Sequence, residues 1–341
     1  MKILVRGTNW IGDSVMSVPA MKLLRATFPD ASITLATKSW AEGIFRDADF
    51  IDEILVLEAG GHSPKAIRSQ AGQLRKGGFD AALIFTNSFG SALVARAAGI
   101  PKRYGYAGEG RGILLTKAFP KPDWRSEKHE VFYYLELARS AAEELGGKPA
   151  GSDPDVSIAV SETRREEARR MLASKGIDSS APLIAFGAGS QNSLAKRWMP
   201  EKFAAVADAL SEELGSQAVL LGSKEDQASS AEVSNAMKSQ AFDLTGETAL
   251  AEAVAVVAES DIMISNDMGL AHVASAVGTP AVTVFGPTNH LTTAPWGGTV
   301  VREPVECSPC MLRECPIDHR CMTRVTPEMV IESALAEIRK K

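Results

Sequence analysis

The fold of this chain is decided by residues 261–287, DIMISNDMGLAHVASAVGTPAVTVFGP. The apolar run over 261–265 predicts a short buried strand, and Asn266-Asp267 is suited to cap a helix predicted over 269–277. Gly278 ends that helix, and a second strand is predicted over 281–285. A strand, a helix and a strand in this order indicate a parallel sheet. The helix N-terminus then opens at the carboxyl edge of the strands, where its dipole and free N–H groups favour a phosphate.

Two residues of this stretch are candidates for contact with such an anion. Gly269 allows a ligand to approach the backbone closely, and His272 lies three residues further on, on the same helix face. An imidazole at this place can donate a hydrogen bond to a phosphate oxygen. A lone histidine in such a position is more often packed in the core than functional.

Length and composition bound the possible classes of protein. The 341 residues include 45% hydrophobic and 23% charged residues, which is ordinary for a globular protein and predicts two domains. The net charge of -5 provides no basic field to hold nucleic acid. Because the N-terminus does not resemble a signal peptide and no apolar run reaches about 18 residues, we expect a cytoplasmic protein without a spanning helix.

The N-terminal residues predict another parallel unit. Strands over 3–6 and 32–37 flank a glycine-bounded loop, 7–13, and a helix over 14–28. Asp13 stands where the loop meets the helix, at the carboxyl edge of the first strand. This aspartate is either an N-cap or a general base facing a cleft, and the loop sequence alone does not decide between them.

Further along the first half, the segment 87–92 caps a helix that is predicted to reach residue 98. Residues 100–119, IPKRYGYAGEGRGILLTKAF, predict an exposed loop around one short strand. This basic and aromatic loop is suited to grip an anionic acceptor, or it is a solvated connector. Residues 146–154, GGKPAGSDP, form the best linker in the sequence.

The second half repeats the pattern of glycine turns after strands. A strand over 183–186 leads into Gly187–Ser190, and Lys196-Arg197 follows, so that backbone donors and fixed positive charge are available to a diphosphate. The strand over 218–221 is followed by an acidic side chain that is suited to accept hydrogen bonds from a ribose. The four cysteines and one histidine form a separate cluster with the spacing C-x2-C-x4-C-x5-C over 307–321. A structural role, with or without a metal, fits this cluster better than redox catalysis.

With these pieces in place, the chain resembles the ADP-heptose lipopolysaccharide heptosyltransferases of glycosyltransferase family 9 over essentially its whole length. The resemblance is carried by ILVRGTNWIGDSVMSVPAMKLLRATFP (3–29), TNSFGSALVARAAGIPKRYGYAGEGRGILL (86–115), FGAGS with AKRWMP (186–200), and SNDMGLAHVASAVGTPAVTVFGPT (265–288). The second and third stretches are most similar to the heptosyltransferase II branch. Four separated motifs in the same order make the match specific.

The resemblance implies an α/β GT-B fold: two facing Rossmann-like domains with parallel sheets, 1–155 for the acceptor and 156–341 for the nucleotide sugar. The C-terminal helix is expected to pack back on the first domain. The implied reaction is inverting transfer of heptose from ADP-heptose onto the first heptose of the lipopolysaccharide inner core. No cofactor and no metal are required, and contact with the inner membrane is expected to be peripheral, at its cytoplasmic face.

The resemblance also implies roles for individual residues. Asp13 is the expected base, and Lys196 is the expected phosphate-binding lysine. The remaining candidates are, for the nucleotide sugar, Ser190, Glu225, Thr245, Asp267, Met268, Gly269 and His272, and, for the acceptor, Asn87, Ser88, Lys102, Arg103 and Arg111.

Three alternatives remain open at the level of sequence. A heptosyltransferase of the same family with a different acceptor would carry the same motifs. A non-catalytic nucleotide-sugar-binding protein could use the same scaffold, although the combination of Asp13 and Lys196 argues against it. A sugar-nucleotide epimerase of similar architecture would turn over a nucleotide sugar without an acceptor.

Overall fold

The computed structural model describes residues 1–57, 63–151, 153–190 and 193–340. The chain forms two compact units, Met1–Ile158 and Ala159–Lys341. Among the described residues, no helix is both long enough and apolar enough to cross a membrane.

The first unit is a doubly wound α/β sheet. Its strands are β1 (Lys2–Arg6), β2 (Ser32–Thr37), β3 (Glu53–Val56), β4 (Ala81–Ile84), β5 (Lys102–Tyr106) and β6 (Lys117–Phe119). Its helices are α1 (Ile11–Met16), α2 (Val18–Thr27), α3 (Ser39–Phe45), α4 (Pro64–Gly77), α5 (Phe89–Ala97) and α6 (Glu130–Glu144). All neighbouring strands are parallel, in the order β3-β2-β1-β4-β5-β6.

The second unit repeats this topology. Its strands are β7 (Leu183–Gly187), β8 (Gln217–Leu220), β9 (Ala241–Asp243), β10 (Ile262–Asn266), β11 (Ala281–Val284) and β12 (Thr299–Val301). Its helices are α7 (Glu162–Ser174), α8 (Pro200–Leu214), α9 (Gln227–Ala236), α10 (Leu250–Glu259), α11 (Gly269–Val277), α12 (His290–Thr293), α13 (Arg320–Thr323) and α14 (Pro327–Ile338). The parallel order is β12-β11-β10-β7-β8-β9, and α14 packs on α8 and on strands β10 to β12.

The strand orders locate the two places where ligands are expected. From β1 the chain winds outward to β2 and β3, then returns to start β4 beside β1 and winds the other way. Since parallel crossovers are right-handed, the helices of the two halves cover opposite faces and leave a crevice where the order reverses. This switch point lies between β1 and β4 in the first unit and between β7 and β10 in the second. The sequence prediction of parallel α/β sheets is therefore confirmed.

Two local predictions are wrong. The single helix expected over 14–28 is broken at Ser17 into α1 and α2, because Pro19 has no N–H to donate to the preceding turn. The segment 100–119 is not an exposed loop around one strand, since it supplies both β5 and β6. Tyrosines at alternate positions of β5 pack into the core. The ring of Tyr104 stacks on that of Phe119 with centroids 6.3 Å apart, and the ring of Tyr106 stacks on that of Tyr133 with centroids 4.3 Å apart.

Candidate functional site

Asp13 lies at the switch point of the first unit. Strand β1 ends at Arg6, and α1 begins at Ile11, which places the half-buried Asp13 in the first turn of α1. The N-cap position belongs to Trp10, so the interpretation of Asp13 as the helix cap is wrong. A carboxylate in the first turn of a helix remains favoured by the helix dipole, which stabilises its ionised form.

Tyr134 holds the Asp13 carboxylate from the neighbouring helix α6. The Tyr134 hydroxyl donates to Asp13 Oδ1 at 3.1 Å. Burial raises the pKa of Tyr134 well above its ordinary value, and the nearby Asp13 charge raises it further. The phenol therefore stays protonated and acts as a donor. Tyr134 was not predicted from the sequence, because the two partners stand 121 positions apart and no local motif joins them.

Asn87 and Ser88 emerge beside Asp13, since β4 is the neighbour of β1. The Asn87 side-chain oxygen accepts from the Tyr133 hydroxyl at 3.1 Å and from Arg111 Nη2 at 3.4 Å. These two donors fix which end of the amide is the oxygen. Ser88 is the N-cap of α5, and its Oγ accepts from the Ser91 amide at 3.3 Å. The structure thus brings Asp13, Asn87 and Ser88 to one edge of the sheet.

Arg111 and Arg103, two of the predicted acceptor-binding residues, both donate from their guanidinium groups to backbone carbonyls. Arg111 is completely buried, and its guanidinium donates to the carbonyls of Tyr106, at 2.7 Å, and Thr86. Arg103 donates from Nε to the Leu114 carbonyl at 2.7 Å and from Nη1 to the Pro101 carbonyl at 3.2 Å. Both side chains thus supply hydrogen bonds to backbone carbonyls.

Lys102 is exposed, but it stands at the start of β5. Its register partner is Ala81 at the start of β4, whereas Asn87 follows the end of that strand. Six extended residues span about 20 Å. The structure therefore does not bring Lys102 together with Asp13, Asn87 and Ser88.

At the switch point of the second unit, Asn266 joins the glycine turn to the lysine segment. This fully buried side chain donates from Nδ2 to the Ala188 carbonyl at 2.7 Å and accepts from the Trp198 amide at 2.9 Å. The prediction that Asn266-Asp267 caps the following helix is wrong, because the N-cap of α11 is Met268 and no side chain caps it. Asn266 instead holds together the glycine turn, at Ala188, and the segment that follows Lys196, at Trp198.

Lys196 and Asp267 form an ion pair within this site. Lys196 Nζ lies 2.7 Å from Asp267 Oδ2, and the Thr288 hydroxyl donates to the same oxygen at 2.7 Å. The Asp267 side chain is 8% exposed and that of Lys196 is 26% exposed. The amine can therefore be reached from solvent, while the carboxylate that holds it is largely buried. Thr288 is a further site residue that the sequence analysis missed.

The N-terminus of α11 completes this part of the site. Gly269 is its first residue, and His272 is buried one turn later. Met268 packs against the glycine turn so closely that a Cβ at Gly187 would lie 2.5 Å from the Met268 sulfur. The free N–H groups of α11 and the Lys196 amine provide the donors and the positive charge that a diphosphate requires.

Glu225 and Thr245 follow β8 and β9 at the same carboxyl edge. Glu225 is exposed, and hydrogen bonds from its own backbone amide and from Ser223 lower its pKa, so it is ionised at neutral pH. Thr245 is buried and donates to the Ser230 hydroxyl at 2.8 Å. Buried Asp226, which was not predicted, lies against the glycine turn: a Cβ at Gly189 would be 2.2 Å from its Cγ.

Residues 306–321, the cysteine segment, contact the turn that carries Lys196. His319 Nε2 lies 2.6 Å from the Ala195 carbonyl, and the Ala195 amide donates to the Arg313 carbonyl at 3.0 Å. The four thiols are free and line one cavity of about 70 Å³ together with His319 and Ala195. Across the described ranges, no three His, Cys, Asp or Glu side chains are arranged to hold a metal ion.

Comparison with known proteins agrees with this geometry. Residues 67–320 match the model of glycosyltransferase family 9 (heptosyltransferase). The lipopolysaccharide heptosyltransferase 2 of Salmonella typhimurium is 33% identical over 300 residues, covering 85% of this chain and 84% of that protein. The Escherichia coli K12 protein of the same name is 32% identical over 302 residues, covering 85% and 84%.

Solved structures give the same result. The structure of E. coli ADP-heptose lipopolysaccharide heptosyltransferase II superposes with a TM-score of 0.84 at 30% identity, covering all of this chain and 99% of that one. A family 9 glycosyltransferase from Veillonella parvula, at 22% identity, shares the fold with a TM-score of 0.87, covering all of this chain and 98% of that one. The two all-parallel sheets have the GT-B-like organisation expected from the sequence. On this evidence the chain is a glycosyltransferase and belongs to glycosyltransferase family 9, the heptosyltransferase family.

Proposed function

We propose that this protein transfers heptose from ADP-heptose onto the first heptose of the lipopolysaccharide inner core, with inversion at the anomeric carbon. The proposal rests on one observation, which is that the two switch points hold complementary chemical groups. The first holds a half-buried carboxylate, Asp13, and the second holds a reachable amine, Lys196, beside the N-terminus of α11. The family relatives named above support the choice of donor and acceptor.

In the proposed reaction, Asp13 acts as the general base. Its carboxylate takes the proton of the acceptor hydroxyl while that oxygen attacks the anomeric carbon of the donor. The bond between the anomeric carbon and the phosphate oxygen breaks, and ADP departs with its electron pair. The Lys196 amine and the N–H groups at the start of α11 stabilise the charge that develops on the diphosphate.

The remaining predicted residues fit supporting roles in this proposal. Glu225, ionised and exposed, is placed to accept hydrogen bonds from the ribose, and Ser190 and Thr245 line the same edge. In this proposal, Met268, Gly269 and His272, at the N-terminal end of α11, contact the diphosphate and the sugar. Asn87 and Ser88 are the acceptor candidates at the edge that carries Asp13, whereas Arg111 is buried and donates to backbone carbonyls.

The decisive experiment is incubation of the purified protein with ADP-heptose and a panel of defined inner-core acceptors, with the product identified by mass and linkage. We expect transfer to an acceptor that already carries one heptose. Transfer only to another acceptor would indicate a different member of the family. Turnover of ADP-heptose without an acceptor would favour an epimerase, and binding without turnover would favour a non-catalytic protein.

The first prediction concerns Asp13→Asn, which keeps the size of the side chain but removes the base. Loss of a general base typically slows the chemical step by about 10²- to 10⁴-fold. We expect the affinity for ADP, measured by calorimetry, to stay near that of the wild type while kcat falls by this factor. Near-normal turnover of the variant would remove Asp13 from the mechanism.

We further propose that the protein meets its lipid-linked acceptor at the cytoplasmic face of the membrane through apolar rather than basic side chains. Trp10 and Ile113 are 56% and 81% exposed, and they follow β1 and β5 at the edge that carries Asp13. Exposed aromatic and aliphatic side chains of this kind insert into the boundary between headgroups and acyl chains. Among the predicted basic candidates only Lys102 is exposed, and it stands at the opposite edge.

A further inference from the structure

We propose that Tyr134 is a positioning residue that sets the proton affinity and the orientation of the Asp13 carboxylate. This inference rests on the proposed role of Asp13 as base. It starts from the hydrogen bond of 3.1 Å between the Tyr134 hydroxyl and Asp13 Oδ1, which joins the second turn of α6 to the first turn of α1.

The surroundings of Tyr134 leave its hydroxyl little freedom. The side chain is buried, and its ring meets Phe85 edge-on with centroids 5.4 Å apart and Tyr133 at 5.7 Å. A ring held on two sides fixes the direction of its hydroxyl group. Asp13 therefore receives its donor from a rigid helix rather than from a mobile loop, which is how a reacting group is held in a productive geometry.

The charges around this bond decide what it does. Tyr134 faces Asp13, Glu130 and Arg125, and Arg125 is paired with Glu130 at 3.1 Å. Helix α2, which packs along α6, contributes basic groups that already have acidic partners: Lys22 with Asp155 at 2.6 Å and Arg25 with Asp52 at 2.5 Å. On the adjoining strand β5, Lys102 and Arg103 stand at the far, amino-terminal end. From α6, the neutral phenol of Tyr134 donates a hydrogen bond to Asp13.

A hydrogen bond donated to an ionised carboxylate favours the ionised form and lowers the carboxyl pKa. The hydrogen bond from Tyr134 therefore favours the ionised form of Asp13 relative to the same carboxyl without this donor. One carboxylate oxygen is occupied by the phenol, which also limits rotation of the carboxylate about its Cβ–Cγ bond. The acceptor hydroxyl then meets a base of fixed direction.

The test is the pH dependence of kcat/KM in Tyr134→Phe, which removes the hydroxyl and keeps the ring. Without its donor, Asp13 takes up a proton at higher pH, so the acid limb of the profile should move upward by about half a unit to one unit. Below that limb kcat/KM should fall by about three- to tenfold. The KM for ADP-heptose should not change, because Tyr134 lies in the first unit.

A matched control is Tyr106→Phe. Tyr106 is another buried tyrosine of this unit, and its hydroxyl donates to the Tyr133 carbonyl at 2.8 Å. This variant loses a comparable hydrogen bond but should leave the acid limb in place. A uniform loss of rate in Tyr134→Phe with an unmoved acid limb, or an equal shift in both variants, would show that Tyr134 only stabilises the fold and would overturn the inference.

Two further variants keep the test decisive. If Tyr134→Phe folds poorly, Tyr134 can be replaced site-specifically by a fluorotyrosine, which keeps the hydroxyl and strengthens it as a hydrogen-bond donor. The acid limb of the pH profile should then move to lower pH. An unmoved limb would contradict the inference. In the Asp13→Asn background, Tyr134→Phe should cost no further activity, because its effect passes through Asp13. Normal turnover of Asp13→Asn itself would overturn the proposed role of Asp13 as the base rather than the hydrogen bond between Tyr134 and Asp13.

Discussion

At the residue scale, Lys196 shows how a site can hold a cation ready for an anionic ligand. Its ion pair with largely buried Asp267 fixes the amine beside the N-terminus of α11. If Lys196 binds the diphosphate as proposed, Lys196→Ala removes a charge-assisted phosphate contact worth about 1.5–3 kcal/mol. The change also leaves the Asp267 carboxylate without its cation. We expect the Kd for ADP-heptose, measured by calorimetry, to rise by at least about tenfold, with a lower kcat.

Lys175→Ala is the matched control for this prediction. Lys175 forms an ion pair of similar length, 2.6 Å, with Glu247, but both side chains are about half exposed. Exposed pairs contribute about 0–1 kcal/mol to stability, and this one does not adjoin the switch point. Equal Kd values for the two variants would mean that Lys196 does not contact the diphosphate.

At the scale of elements, the cysteine segment shows that a motif outside the switch points can act on one of them. His319 and Arg313 hold both backbone polar groups of Ala195, the residue before Lys196. His319→Ala leaves the Ala195 carbonyl without its partner and frees the turn that aims Lys196. We expect the KM for ADP-heptose to rise by about three- to tenfold while the KM for the acceptor stays constant.

Arg320→Ala provides the control from the same segment. Arg320 pairs with Asp318 at 2.9 Å and with Glu306 at 3.5 Å. Those contacts belong to the segment itself and do not involve Ala195. If Arg320→Ala raised the donor KM as much as His319→Ala does, the effect would reflect general loosening of the segment, and the specific brace would be refuted.

At the scale of the whole molecule, the net charge of -5 and the exposed apolar side chains predict how the protein meets a membrane. Binding to vesicles should depend little on salt, because apolar insertion, unlike ionic attraction, is not screened over the Debye length of roughly 10 Å. The combined change Trp10→Ser and Ile113→Ser should abolish co-sedimentation with vesicles and raise the KM for a lipid-linked acceptor. Leu291→Ser, a change at a residue 63% exposed in the second unit, should do neither. Binding that salt disrupts would instead indicate basic contacts.

Much of the architecture was accessible from sequence because its signals are local. The apolar runs, the glycine turns and the helix 269–277 were predicted nearly at their observed bounds, and α11 ends at Gly278 with φ of 84°, a conformation that glycine adopts readily. The break at Ser17 and the strands of the segment 100–119 were missed. Glycine, basic and aromatic residues in that segment are typical of a loop, but the rings of Tyr104 and Tyr106 are buried by partners that a local pattern does not contain.

The sequence by itself determined the alternation of strands and helices, the two parallel sheets and the placement of Asp13, Lys196 and Gly269 in the segments that follow strands. These features follow from hydrophobic period and turn chemistry within a few neighbouring residues. Only the tertiary structure decided that Tyr134 donates to Asp13, that Asn266 is a clamp rather than a cap, and that Arg111 satisfies buried carbonyls instead of facing a ligand. Each of these outcomes depends on the packing of the chain, which decides which distant group comes within hydrogen-bond distance. A buried polar group then takes the partner that the topology supplies.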